Sequence, residues 1–420
     1  MPPDPSASPS FTPAALTIVA AGAAVMAISI GVRATLGVFV LPLSMLHHWP
    51  VSTFSLALAV HNLLWGLVQP LVGGLADRHG ARPVIVAGSL FYAGGLLLTA
   101  GGSDPAAAML GAGLAVGLGL SAASFPVVLA LVGRAVPADR RSLAMGLAIA
   151  GGSLGQVILP PLGGVLIEGQ GVTVALVALA AITLAMAPLA LLLTERRPAD
   201  AAPLSAPTTD SVYAPLAAAW KSGAYRLVVI GFFACGFQLA FISIHLPGHL
   251  SLCGMPPGAG ANALALMGLF NVAGCWICGS LGSRYSLPRL LAILYGLRAI
   301  AVAGFLAVPL SEASLIGFSA LTGFTWLATV PLTSALIAHL FGPRDLGLLF
   351  GTAFLSHQLG SFLGVWAGGW AFDLTGSYQS VWAAAGALGL IAAILHAAIS
   401  DRPVFTPRCR PPEPASNVLH

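Results

Sequence analysis

Twelve apolar stretches, each of about 18 to 27 residues, follow one another along this 420-residue chain, and almost no charge falls inside them. A helix needs roughly 20 such residues to cross a bilayer. Water is absent from the hydrocarbon core, so every backbone amide there needs an internal partner, which leaves helices or a closed barrel. The stretches are long and lack the period-two alternation of short barrel strands, so helices are expected. Charged residues make up 7% of the chain, against about 25% in soluble domains. That composition excludes an ordinary water-facing surface.

The helices are predicted at about 15–41, 53–73, 84–101, 106–132, 143–167 and 173–193, and again at about 224–250, 260–281, 289–308, 313–338, 346–371 and 378–400. The chain then divides into a tail over 1–14, a six-helix bundle over 15–193, a linker over 194–223, a second six-helix bundle over 224–400 and a tail over 401–420. The linker holds Glu195, Arg196, Arg197, Asp200, Asp210, Lys221 and several prolines, and reads as solvated chain. The last tail carries Pro403, Pro407, Pro411, Pro412 and Pro414 and is expected to be disordered. Residues 1–14 contain no Lys or Arg, so no basic region of a cleavable signal precedes the first stretch.

The basic residues set an orientation. Of 17 Lys and Arg, all but Arg33 and Arg298 fall at one side of this arrangement, whereas the opposite loops carry Asp104, Glu168, Glu312 and Asp373. Both termini and the linker are therefore expected in the cytoplasm, in a multi-pass protein of a bacterial inner membrane. The formal charge of +4 is scattered among loops and is no nucleic-acid footprint.

The two bundles repeat one another. Residues 146–171, GLAIAGGSLGQVILPPLGGVLIEGQG, align with 351–376, GTAFLSHQLGSFLGVWAGGWAFDLTG, at an offset of 205. The same offset pairs Pro42 with Pro247, Pro126 with Pro331 and Glu168 with Asp373. Repeats of this kind place a substrate near the membrane midplane, at the seam between the halves.

The loop after the second helix reads GGLADRHGAR over residues 73–82, with a degenerate copy at 279–289. It resembles the signature loop of the major facilitator superfamily. The resemblance covers residues 15–400 and implies two pseudo-symmetric six-helix bundles. It also implies that Asp77, Arg78 and Arg82 latch the halves at the cytoplasmic side. Asn62 to Gly66, Gln238 to Pro247 and Ser356 to Gly360 resemble the bacterial branch related to monocarboxylate and oxalate–formate transporters. The chain departs from that branch at Cys275, where monocarboxylate carriers have an Arg, and at His357, in the region where the oxalate–formate type has a Lys.

Two cations lie inside predicted helices, Arg33 in the first and Arg298 in the ninth. A cation at the centre of a membrane helix costs about 2.5–3.5 kcal/mol on insertion scales, so it needs a partner. The 13 acids all fall in loops or at helix ends, which leaves an anionic substrate as a fitting partner. His357 and Gln358 lie near mid-depth where the repeat has Gly152 and Ser153, and histidine can exchange a proton near neutral pH. The candidate substrate contacts are Arg33, Asn62, Gln156, Gln238, His245, Arg298, His357 and Gln358, with His61 as a further polar residue at depth.

Cys275 and Cys278 form a C-x-x-C inside an apolar helix with no second pair, and His245 and His249 lack a third ligand, so no metal or other cofactor is expected. With no phosphate-cradling Gly-Lys-Ser/Thr sequence, ATP-driven transport is not expected either. The sequence supports a monomeric secondary transporter, not an enzyme, that moves a small organic anion, with a coupling proton or an exchanged anion. Pro160-Pro161-Leu-Gly163-Gly164 faintly resembles the antiporter motif of drug-efflux relatives. Efflux of a hydrophobic metabolite or drug is the alternative reading.

Overall fold

A computed structural model describes residues 12–136, 141–193, 214–342 and 345–404, without the side chains of Asp77, Arg141, Ser142 and Leu143. Twelve helices among them are long and apolar enough to cross a membrane. Spans 1 to 6 cover Pro13–His47, Val51–Ala76, Ala81–Gly101, Pro105–Ala135, Ala144–Gln170 and Val172–Leu192. Spans 7 to 12 cover Gly223–Leu252, Ala259–Gly282, Leu287–Ala307, Glu312–Phe341, Leu346–Thr375 and Gln379–Ala397. The predicted helices all appear, most of them longer by a few residues at their ends. One helix was not expected. Ala214–Lys221, read as linker, is helical because its APLAAAWK sequence is rich in alanine, the strongest helix former. It buries Ala219 and sets Trp220 edge-on to Tyr225 at 5.9 Å. Residues 194–213 of the expected linker, the first tail up to residue 11 and the last tail beyond residue 404 lie outside the described residues.

Each half has its own apolar core, one dominated by residues before Leu193 and one by residues after Ala219. Small residues let the helices within each half touch backbone to backbone. A Cβ at Gly155 of span 5 would collide with the Ala27 carbonyl of span 1, and one at Gly360 of span 11 with the Phe233 carbonyl of span 7. Gly31 and Gly236 face these same crossings from the other helix, the latter against the His357 carbonyl. Gly155 with Gly360 and Gly31 with Gly236 are both pairs at the 205-residue offset. The repeat therefore preserves the tightest crossing of each half.

Spans 4 and 10 are broken at matching places. Span 4 divides between Ala122 and Phe125, and span 10 between Thr325 and Thr329. Pro126 and Pro331 follow the breaks and lack the N–H that would bond back across them. The carbonyls and amides freed there must find other partners.

Span 2 runs beside span 11 and span 5 beside span 8, and these two seams join the halves. At the end away from the linker, Asp373 closes the first seam. Its carboxylate accepts from the backbone N–H of Val51 at 2.9 Å and of Ser52 at 2.8 Å, in the first turn of span 2. A carboxylate there meets free N–H groups and the positive end of the helix dipole. Its repeat mate Glu168 comes close to the start of span 8, with Oε1 4.0 Å from where a Gly258 Cβ would stand. Gly369 packs on Ser52 and Ser55, and Leu41 on Gly248, at the same end. Seam contacts between spans 2 and 11 continue inward as far as Trp65, Gly66 and Phe354. Nearer the linker, a Cβ at Gly73, Gly74 or Gly351 would meet nothing within 4 Å, and Leu71 is 69% exposed. The seam is closed at the far end and open at the linker end.

Gly360→Val should lower the thermal unfolding midpoint strongly, since span 7 backbone would have to move, while Gly351→Ala should leave it unchanged. A thermal melt of both variants in detergent checks this. Asp373→Ala should raise maleimide labelling of a Ser55→Cys variant several-fold, because both caps at the far end are lost. Equal labelling with and without Asp373 would show that the packing alone seals that end.

Candidate functional site

The polar residues expected at depth divide into two groups. The first lies on the seam between spans 2 and 11. Arg33 is half-buried, and its Nη2 donates to Asn62 Oδ1 at 2.7 Å. Its guanidinium stands 5.2 Å from the centre of the Trp65 ring, a cation–π contact. Asn62 is held in turn, since its Nδ2 donates to the Leu58 carbonyl at 2.7 Å. Its backbone carbonyl accepts from Gln358 Nε2 of the other half at 3.0 Å. Gln358 Oε1 then lies 3.0 Å from His357 Nδ1. An amide oxygen only accepts, so His357 carries a proton on Nδ1. Four residues thus link the two halves: Arg33, Asn62, Gln358 and His357.

The His357 ring lies between two phenylalanines. Phe354 is parallel to it at 5.6 Å and Phe232 is tilted at 4.8 Å. Nε2 is buried without a hydrogen bond of ordinary geometry, and the ring lies beside the Cys235 thiol. Arg33 Nε is also buried without a partner. Among the described residues, no carboxylate bonds to Arg33. Five donors with one neutral acceptor leave a cation whose capacity is unspent.

Gln156 lies on the other seam, with its side chain against Gly268 of span 8 and Nε2 unpaired. Beside it, Asn271 Nδ2 donates to Ser153 Oγ across the seam at 2.9 Å. Ser153 and Gln358 are repeat mates at offset 205, so each seam carries a polar bond from the same position of the duplicated unit.

The second group lies inside the C-terminal half. Arg298, expected among the substrate contacts, is fully buried. Its Nη2 donates to the Thr325 carbonyl and, at 3.0 Å, to the Trp326 carbonyl, both at the break in span 10. Nη1 reaches Gln238 Oε1 and Cys235 Sγ, each at 3.4 Å. The guanidinium satisfies the carbonyls that the break leaves free, which accounts for its burial without an acid. Gln238 also lies here, as its Nε2 donates to the Ala385 carbonyl at 2.7 Å. His245 pairs with the Val365 carbonyl at 2.8 Å, joining span 7 to span 11. None of these three bonds to Arg33, and Cys235 lies between Arg298 and His357 where the two groups approach.

In the signature loop, Arg82 Nη2 donates to the Leu193 carbonyl at 3.3 Å, which ties span 3 to the end of span 6 within one half. Arg78 is exposed, and the Asp77 side chain lies outside the described residues. Trp65 and Asn271 were not among the candidates. Trp65 Nε1 donates to Ser124 Oγ at 2.9 Å, at the break in span 4, and Asn271 Oδ1 accepts from the Leu327 N–H at 2.9 Å, at the break in span 10. A repeat offset of 205 to 206 aligns Asn271 with Gly66 and Trp65, which is the signal that could have found the pair.

Arg298→Met should lower the thermal midpoint by several degrees even in ligand-free protein, because it strands two carbonyls at depth, each costing about 1–3 kcal/mol. A thermal melt of the purified variant checks this, and an unchanged midpoint would show that the break is stable without the cation.

The sequence profile of the Major Facilitator Superfamily matches residues 16–326. The chain is 28% identical over 366 residues to monocarboxylate transporter 11 of Homo sapiens, covering 85% of this chain and 75% of that one. It is 26% identical over 359 residues to the MFS-type transporter YcxA of Bacillus subtilis (strain 168), covering 81% and 84%. Among solved structures it resembles a bacterial homolog of the human lysosomal transporter Spinster, in an inward-facing and unoccupied conformation. That likeness has a TM-score of 0.73 at 15% identity and covers 95% of this chain. With twelve spans in two repeated halves and a profile match across most of its length, the chain belongs to the Major Facilitator Superfamily of membrane transporters.

Proposed function

We propose that this transporter carries a small organic anion, of monocarboxylate type, by alternating access at the seam between its halves. The observation that carries the reading is Arg33: a half-buried guanidinium in the seam, bonded to one neutral amide and to no acid. A carboxylate could take its remaining donors as a bidentate pair, which a guanidinium matches in geometry and charge. The relatedness to a protein named as a monocarboxylate transporter agrees with this.

A substrate on Arg33 is also two hydrogen bonds from the other half, Arg33 to Asn62 and Asn62 to Gln358. Binding that draws Arg33 off Asn62 changes the contact that both halves share, so occupancy and rocking are coupled. His357, with Nδ1 bonded to Gln358 and its ring beside the Cys235 thiol, is a group suited to accept a coupling proton. The one-sided basic residues support a cytoplasmic linker end, which on this reading makes the described conformation the inward-open state of a monomer in a bacterial inner membrane. Asp77, Arg78 and Arg82 then latch the cytoplasmic end in the alternate state. Gln156 belongs to the opposite wall of the same passage.

The alternative, an antiporter that expels a hydrophobic metabolite or drug, has one observation in its favour: Trp65 and Phe354 give the site apolar walls. One panel separates the readings. A saturating ligand, at about 100 times its Kd, stabilises the native state by about 2.7 kcal/mol. Monocarboxylates should raise the melting temperature of the purified protein by several degrees, and Arg33→Gln should abolish the rise. Stabilisation by lipophilic cations alone, unchanged in Arg33→Gln, would overturn the anion reading in favour of efflux.

A further inference from the structure

The planar groups of the site form a column that crosses the seam. The Arg33 guanidinium faces Trp65, Trp65 meets Phe354 edge to face at 5.6 Å and 81°, and Phe354 lies parallel to His357 at 8°. Only one joint in the column is shared between the halves, that of Trp65 on span 2 with Phe354 on span 11. An edge-to-face contact holds no hydrogen bond there, so it is the joint that separates when the halves rock. Trp65 does not move freely, because Nε1 is anchored to Ser124 Oγ, which itself donates to Gln69 Oε1 at 3.2 Å. Phe350 stacks on Phe354 at 6.4 Å, one turn nearer the open end, and extends the aromatic wall toward it.

The charge and the polar groups narrow the occupant further. Of the two arginines that lie away from the span ends, Arg298 is engaged by backbone carbonyls, so Arg33 is the positive charge that the site offers. The Asn62 side chain and the Gln358 amide, the polar groups linked to Arg33 across the seam, already have partners at both ends, so neither has a free end to bond hydroxyl groups on a substrate body. We propose that the substrate is a monoanion whose carboxylate is joined to a flat aromatic ring. The carboxylate binds Arg33, and the ring takes the place of the Trp65–Phe354 contact and lies between the two side chains. This deepens the anion reading above and rests on it. Ring-to-ring contacts of this kind add to the gain from apolar burial, and two such contacts with the ligand would replace the one edge-to-face contact that it displaces.

The test uses the purified full-length chain and four probes: acetate, cyclohexanecarboxylate, benzoate and phthalate. Affinities come from thermal shift titrations and are repeated as competition in proteoliposome counterflow. Benzoate should bind at least about tenfold more tightly than acetate and several-fold more tightly than cyclohexanecarboxylate, which is apolar but not flat. Phthalate, a dianion, should bind less well than benzoate. Phe354→Leu should bring benzoate level with cyclohexanecarboxylate. Cyclohexanecarboxylate matching benzoate in the wild type, or phthalate exceeding it, overturns the proposal without need of any variant. If acetate and benzoate bind equally and both depend on Arg33, the aromatic inference fails and the anion reading stands. If no carboxylate binds, both fail together.

Discussion

Backbone amides at membrane depth have no water to turn to, and this constraint shapes the protein wherever its helices are not continuous. Spans 4 and 10 both break near their middle, at positions fixed by the repeat. Each break draws in side chains from neighbouring helices. Trp65 and Ser124 meet at one, and Arg298 and Asn271 serve the other. These are also the residues nearest the candidate site, or neighbours of those that form it. The polar groups that repair the scaffold and those of the candidate site thus lie next to one another, and among the described residues no carboxylate bonds to Arg33 or Arg298.

Duplication explains the frame, and departures from it mark the site. The glycines of the tightest crossings are kept in both halves, because backbone contact tolerates no side chain. Arg33 has no such mate, since the offset carries it to Gln238, and His357 falls opposite Gly152. Ser153 and Gln358 are intermediate, with different side chains making the same kind of bond across the two seams. The duplicated scaffold is thus symmetric where backbones touch and asymmetric where Arg33 and His357 stand.

The number and length of the spans were legible because each is a long apolar run bounded by loops with charge or proline. The repeat was legible for the same reason as the crossings: glycine and proline have backbone roles that no other residue fills. The division of the polar residues was not. Arg33 and Arg298 look alike in sequence, each a lone cation in an apolar helix. They differ in what lies across from them, a seam for one and a broken helix for the other, and neither is written near the residue itself. The short helix at Ala214–Lys221 was hidden by the charged chain before it. Trp65 was overlooked because a tryptophan in a membrane helix reads as packing, and its contact with Arg33 is made between helices.

Asp373 caps two amides that belong to the other half of the molecule. Span 2 therefore borrows its cap from across the seam and has it only while the far end is shut. When the halves part there, the same two N–H groups and the carboxylate must be taken over by water at once. Hydration of that end is then part of opening it, not a result of it. Solutes that lower water activity should hold the far end closed, and the balance between the two states should follow the osmotic conditions on that face.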